Sequence, residues 1–238
     1  MNKLIKLNKI EEADELVASI DSPHTYIYTI QMKGYTKSKD LPKATELLHK
    51  MIDSSHPPNL VTYNTYLTCA LRAQDLPTAR QIFTSMTEKD IITYSTYIRG
   101  LLKLKQPDEV LLLHQQITQE NLVPQDQMYF NILINGLIKN KRVDQAFEAY
   151  LLMREKNFEQ NEFSITVLIQ LFNKLGNLKF LDILKNFKSK DQYFYSQIIS
   201  TLIRNKNYFP KALEVLFQTM QRNIILKKSV YELAIATL

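Results

Sequence analysis

The chain repeats itself, and the repeat limits what it can fold into. Asp40-Leu41-Pro42-Lys43-Ala44 returns as Asp75-Leu76-Pro77-Thr78-Ala79, 35 residues further on. Thr62-Tyr63-Asn64-Thr65-Tyr66-Leu67 returns as Thr93-Tyr94-Ser95-Thr96-Tyr97-Ile98 and again as Tyr129-Phe130-Asn131-Ile132-Leu133-Ile134. A period in this range marks a stacked architecture, in which one small unit cannot bury its own apolar face and leans on its neighbours. Counted from three residues before each recurring Tyr or Phe, full units run 25–59, 60–90, 91–126, 127–161, 162–191 and 192–227. Residues 1–24 read as the back part of an earlier unit, and 228–238 as the start of a further one. Position 4 then holds Tyr28, Tyr63, Tyr94, Phe130, Ile165 and Tyr195.

The prolines test this phase independently. Pro42, Pro77, Pro107 and Pro210 fall at positions 17–19 of their units. Pro57, Pro58 and Pro124 fall at positions 33–34, and Pro23 precedes a unit start by two residues. Proline fits the first turn of a helix or the stretch beyond its end. Between these zones apolar residues recur at three- and four-residue spacing, as in Ala44, Leu47, Leu48 and Met51, which is helical periodicity. Each unit therefore reads as a helix A over positions 1–13 and a helix B over about 17–30. Gly34, Gly100 and Gly136, with Cys69, share position 10, which predicts close backbone approach by a neighbouring helix. The expected fold is all-α, an α-α superhelix: a right-handed solenoid of helix-turn-helix repeats of about 31–36 residues.

Composition removes several functional classes. Four glycines in 238 residues disfavour Gly-rich phosphate loops and turn-dense barrels. A single cysteine excludes a disulfide framework and Cys-based zinc fingers. No apolar run approaches a membrane span. His24, His49, His56 and His114 fall in different phases of the units, so no metal site, catalytic constellation, cofactor or small-molecule substrate is expected, and the chain does not read as an enzyme. The net charge of +6 mildly favours an acidic partner. The basic stretch Met1–Lys9 runs straight into Glu11, Glu12, Asp14 and Glu15, unlike a transit peptide.

Leu60-Val61-Thr62-Tyr63-Asn64-Thr65-Tyr66-Leu67 with Ala79 and Met86, and Phe130-Asn131-Ile132-Leu133-Ile134-Asn135-Gly136-Leu137 with Ala146 and Met153, resemble the pentatricopeptide repeat (PPR) family over nearly the whole chain. The match weakens in the fifth unit, where Ile165 and Leu181 stand for the usual Tyr and Ala, and around Tyr208-Phe209 in the sixth. The tetratricopeptide signature, with its tryptophan, is missing. The resemblance implies a single-stranded RNA binder that reads one base per repeat with two or three side chains. Carried over, position 5 and the last residue of each repeat read bases: Thr29, Asn59, Asn64, Asp90, Ser95, Asp126, Asn131, Asn161, Thr166, Asp191 and Ser196. Position 2 would sandwich bases: Tyr26, Val61, Ile92, Met128, Phe163 and Tyr193. Position 13 is basic in every full unit, as Lys37, Arg72, Lys103, Lys139, Lys174 and Arg204, and would contact phosphates.

Each group also has a plainer reading. The reading residues can be helix caps, the position-2 residues can be core, and cations favour helix C-termini. The family's pairing rules imply a target 5′-A-U-G-Y-G for the first five units. They leave Ser196 with Lys227 unread, since Lys only donates. The resemblance further implies organellar RNA processing, stability or translation, in a mitochondrion or plastid. The alternative is a structural PPR subunit or scaffold of an organellar ribosome or other ribonucleoprotein. One cysteine excludes the cytidine-deaminase domain some members carry. Ala234, Ile235 and Leu238 would leave an apolar edge, which suggests a longer chain or protein subunits docking at the repeat ends.

Overall fold

The computed structural model describes residues 1–7, 9–20, 23–54, 56–120, 126–156, 162–174, 192–204 and 208–237. The described residues fold as helices, without strands. They form two compact units, Met1–Pro124 and Gln125–Leu238.

The first unit contains α1 (Asn2–Lys6), α2 (Ile10–Ala18), α3 (Thr25–Ser38), α4 (Leu41–Ile52), α5 (Leu60–Ala73), α6 (Leu76–Ser85), α7 (Ile91–Lys103) and α8 (Pro107–Gln119). α3 packs on α5 and α5 on α7, while α4, α6 and α8 each back onto the helix before them. The second unit contains α9 (Gln127–Lys139), α10 (Val143–Glu155), α11 (Glu162–Lys174), α12 (Gln192–Ile203), α13 (Phe209–Gln221) and α14 (Lys228–Ile235). There α9 packs on α11, α11 on α12 and α12 on α14, with α10 behind α9 and α13 behind α12.

Local chemistry sets the helix boundaries. Asp40 and Asp75 accept the backbone N–H of Lys43 and Thr78 at 3.1 and 3.0 Å, and a proline occupies the first turn of α4, α6, α8 and α13. A side-chain cap and a first-turn proline both serve donors the helix cannot satisfy internally. The small residues Ala44, Ala79 and Ala146 are fully buried, and the same phase in α8 holds the fully buried Val110. Met51, Met86 and Met153, seven residues or about two helical turns further along, are buried as well. The tight turns before α4, α6, α8 and α10 each pass through a left-handed residue: Lys39 (φ 62°), Gln74 (65°), Lys105 (61°) and Lys141 (63°).

Gly34 and Gly100, at position 10, meet neighbouring side chains and not a neighbouring backbone. A Cβ on Gly100 would stand 2.4 Å from Leu71 Cδ1, and one on Gly34 would stand 3.3 Å from Ile10 Cδ1. Cys69 is fully buried, and burial pushes its thiol up, partly offset by a hydrogen bond from Thr36.

Candidate nucleic-acid interface

α3, α5 and α7 present the same phases to one face of the first unit. Tyr26, Val61 and Ile92, at the second residue of each helix, are 68, 56 and 61% exposed, and Met128 in α9 is 57% exposed. These four are not core. Phe163 lies in α11 and Tyr193 in α12, but their side chains fall outside the described residues.

One turn deeper stand short polar residues. Thr29, Ser95, Asn131 and Ser196 are buried, and Asn64 and Thr166 are half-buried. The amide oxygens of Asn64 and Asn131 are buried without a hydrogen-bond partner. An orphaned buried carbonyl costs about 1–3 kcal/mol; Gln31 and Asn135 carry the same feature at other phases.

The residues before the helices are caps, as their type allows. Asn59 Oδ1 accepts the N–H of Thr62 at 3.0 Å and its hydroxyl at 3.1 Å. Asp90 Oδ1 accepts the N–H of Thr93 at 2.8 Å and its hydroxyl at 2.7 Å. Asp126 accepts from the N–H of Met128. Burial raises the Asp90 carboxyl, but hydrogen bonds from Thr93 and the Asn64 amide outweigh it and hold the group below the usual carboxylate range. Asn161 and Asp191 lie outside the described residues.

These parts meet in a cavity of about 430 Å³ whose lining includes Val61, Asn64, Asp90 and Ile92. Val61 and Ile92 supply apolar surface to it and Asn64 and Asp90 polar groups. A second cavity, of about 450 Å³, is lined by Lys39, Arg72, Arg99 and Lys103 among others, with no carboxylate. Lys39 and Arg99 escaped the sequence reading. They fall at positions 15 and 9 of their units, out of phase with the position-13 cations, so the repeat register did not mark them.

The position-13 cations Lys37, Arg72, Lys103, Lys139, Lys174 and Arg204 are all exposed. Two of them also serve the fold. Lys37 Nζ donates to the carbonyls of Ile5 and Lys6 at 3.0 and 2.8 Å, capping the end of α1. Arg72 Nη1 donates to the Thr36 carbonyl at 3.4 Å. Helix C-termini attract cations, so the plainer reading accounts for part of this stripe. Among the described residues no group of three or more His, Cys, Asp or Glu could hold a metal ion.

This arrangement is that of a helical-repeat protein whose first unit carries a polar cavity and a cation-lined one. The PPR repeat family matches residues 23–72 and 125–174, and the PPR repeat matches 92–122. The chain belongs to the pentatricopeptide repeat family. A chloroplastic pentatricopeptide repeat-containing protein of Arabidopsis thaliana is 27% identical over 72% of this chain and 23% of its own. A mitochondrial one from the same plant is 24% identical over 93% of this chain and 40% of its own. The chain thus spans well under half the length of these relatives. The crystal structure of the pentatricopeptide repeat protein PPR10 from maize superposes with a TM-score of 0.78 at 16% identity, over 94% of this chain and 32% of that one. PPR10 in complex with an 18-nt psaJ RNA element superposes with a TM-score of 0.73 at 17% identity, over 99% and 36%. At this identity the likeness establishes the fold: all-α, a superhelical stack of helical hairpins.

Proposed function

We propose that the chain binds single-stranded RNA along the faces of α3, α5, α7, α9, α11 and α12, one base per repeat, without catalysis. The repeats are 25–59, 60–90, 91–126, 127–161, 162–191 and 192–227. The observation that carries this reading is the cavity around Asn64 and Asp90. Its lining joins apolar Val61 and Ile92 to the polar pair Asn64 and Asp90. Apolar faces stack on bases of any sequence, while an amide and a carboxylate discriminate base edges by donor and acceptor pattern. Position 5 and the last residue of each repeat are the reading residues, position 2 stacks, and position 13 neutralises phosphates. The target is 5′-A-U-G-Y-G, and the setting is organellar RNA processing, stability or translation, as the mitochondrial and chloroplastic relatives suggest.

Fluorescence anisotropy against a ten-nucleotide RNA containing AUGYG and a shuffled control, at two salt concentrations, tests this. Tighter binding of the intact order is expected. Equal, salt-sensitive binding to both would keep the basic groove and discard the code. A second reading, a structural subunit of a ribonucleoprotein, draws on the exposed Phe217, Met220, Ile225 and Ile235. Lys103→Glu with Lys139→Glu separates the two readings. RNA binding collapses under the first, and assembly without free RNA survives under the second.

A further inference from the structure

The caps and the reading residues are the same side chains, and they are held by residues the family's pairing rules do not count. Thr62 and Thr93 are fully buried, so neither can touch an RNA. Each spends its hydroxyl on the residue three before it. We propose that Thr62 and Thr93 are positioning residues for base recognition: each pins one side-chain oxygen of Asn59 or Asp90, so that only the other end of that side chain meets a base. This rests on the RNA-binding reading above.

Proton counting gives the pin its chemical content. Asn59 Oδ1 is occupied by two donors from Thr62, which leaves the Asn59 –NH2 to face outward as a donor. Thr29 has a single hydroxyl proton. Its oxygen lies 2.8 Å from the Thr25 carbonyl and 3.0 Å from the Thr62 hydroxyl. Whichever of the two takes that proton, it stays inside the protein, and Thr29 offers a base only lone pairs. The first repeat therefore presents one acceptor and one donor. That pair complements the amino group and N1 of adenine, whereas guanine sets its own N1–H against the Asn59 donor.

In the next repeat the Thr93 hydroxyl accepts from the Asp90 N–H at 3.3 Å. Its own proton therefore goes to Asp90 Oδ1, 2.7 Å away. The carboxylate also has the Asn64 amide as a donor partner, and its second oxygen keeps a lone pair as an acceptor. An acceptor set opposite N3 suits the N3–H of uracil and repels the N3 lone pair of cytosine. The same phase ahead of α9 holds Tyr129, and there Asp126 takes the N–H of Met128 instead.

The test measures binding of the wild type, Thr62→Val, Thr93→Val and the two Thr→Ser variants to AUGYG-containing RNA and its single-base swaps. Valine keeps the shape and the backbone N–H and removes only the hydroxyl. Thr93→Val is expected to cut the preference for U over C at the second base about three- to tenfold, the worth of one hydrogen bond. Preference for A over G at the first base should stay unchanged. Thr62→Val should do the converse, and serine should restore both. A uniform loss of affinity with the preferences intact, or no change at all, overturns the proposal while leaving the RNA reading standing. A wild type that binds no RNA overturns that reading instead. The pin is then judged by the Asp90 carboxyl, followed by NMR: it must titrate higher in Thr93→Val, and an unmoved carboxyl overturns the proposal.

Discussion

Lys39, Gln74, Lys105 and Lys141 hold a backbone conformation that suits glycine, at the same place in four successive turns. A side chain there costs on the order of 1 kcal/mol. Gln74→Gly should therefore stabilise the chain by about 0.5 kcal/mol, after the added freedom of the unfolded state is deducted, and urea denaturation reads this directly. His114 is set by burial, which holds its imidazole below the ordinary range. Below about pH 6.5 the unfolded chain takes a proton that the folded one refuses, so stability present above that value is lost as the pH falls toward the folded pKa. His114→Gln should flatten this acid limb in melts between about pH 6.5 and 5. Neither feature was legible beforehand. A left-handed turn normally announces itself by Gly or Asn, and here the residues are Lys and Gln. The burial of His114 depends on packing around α8 that periodicity does not specify.

Between elements, Leu71 of α5 fills the place a side chain on Gly100 of α7 would take. Gly100→Ala should destabilise the chain by about 1–3 kcal/mol, because overpacking forces a buried leucine off its rotamer. The change should be non-additive with Leu71→Ala: the leucine deletion costs less in the Gly100→Ala background than in the wild type, as measured by a double-mutant cycle in thermal melts. Much at this scale could be read from the sequence. Asp40, Asp75, Asn59 and Asp90 are typical caps, prolines follow two of them, and small residues mark the packing faces. Even so, the sequence implied backbone contact at Gly100 and the structure shows a leucine, because spacing reveals that room is needed and not what fills it. The link from Thr29 to Thr62 and on to Asn59 was equally hidden. It joins two repeats through hydroxyls that look like ordinary helix residues until the hairpins are stacked.

For the whole molecule, three exposed position-13 cations in each compact unit tie the proposed RNA binding to ionic strength. Each phosphate neutralised on a single strand contributes about −0.7 to the slope of log affinity against log salt. Six contacts would give a slope near −4, and reversing Lys103 and Lys139 should reduce its magnitude by at least about 1. Salt titration of RNA binding measures both. The all-α repeat architecture and the family were legible, since the period, the proline zones and the Tyr-Asn segments survive in the sequence. The four described position-2 residues proved exposed, a choice sequence could not make because Val61 and Ile92 suit a core equally well.

Asn59 and Asp90 begin helices with the same side chains that would meet a base, and this limits how such a protein can be rewritten. A residue that caps there accepts a hydrogen bond from the helix it starts, which favours a few short polar side chains. Lys227, ahead of α14, makes no side-chain cap and is the one cation at this place in the chain. The alphabet in which the chain could spell its target is therefore set by the grammar of helix beginnings, and any letter changed for specificity is also a change in how firmly the next repeat folds.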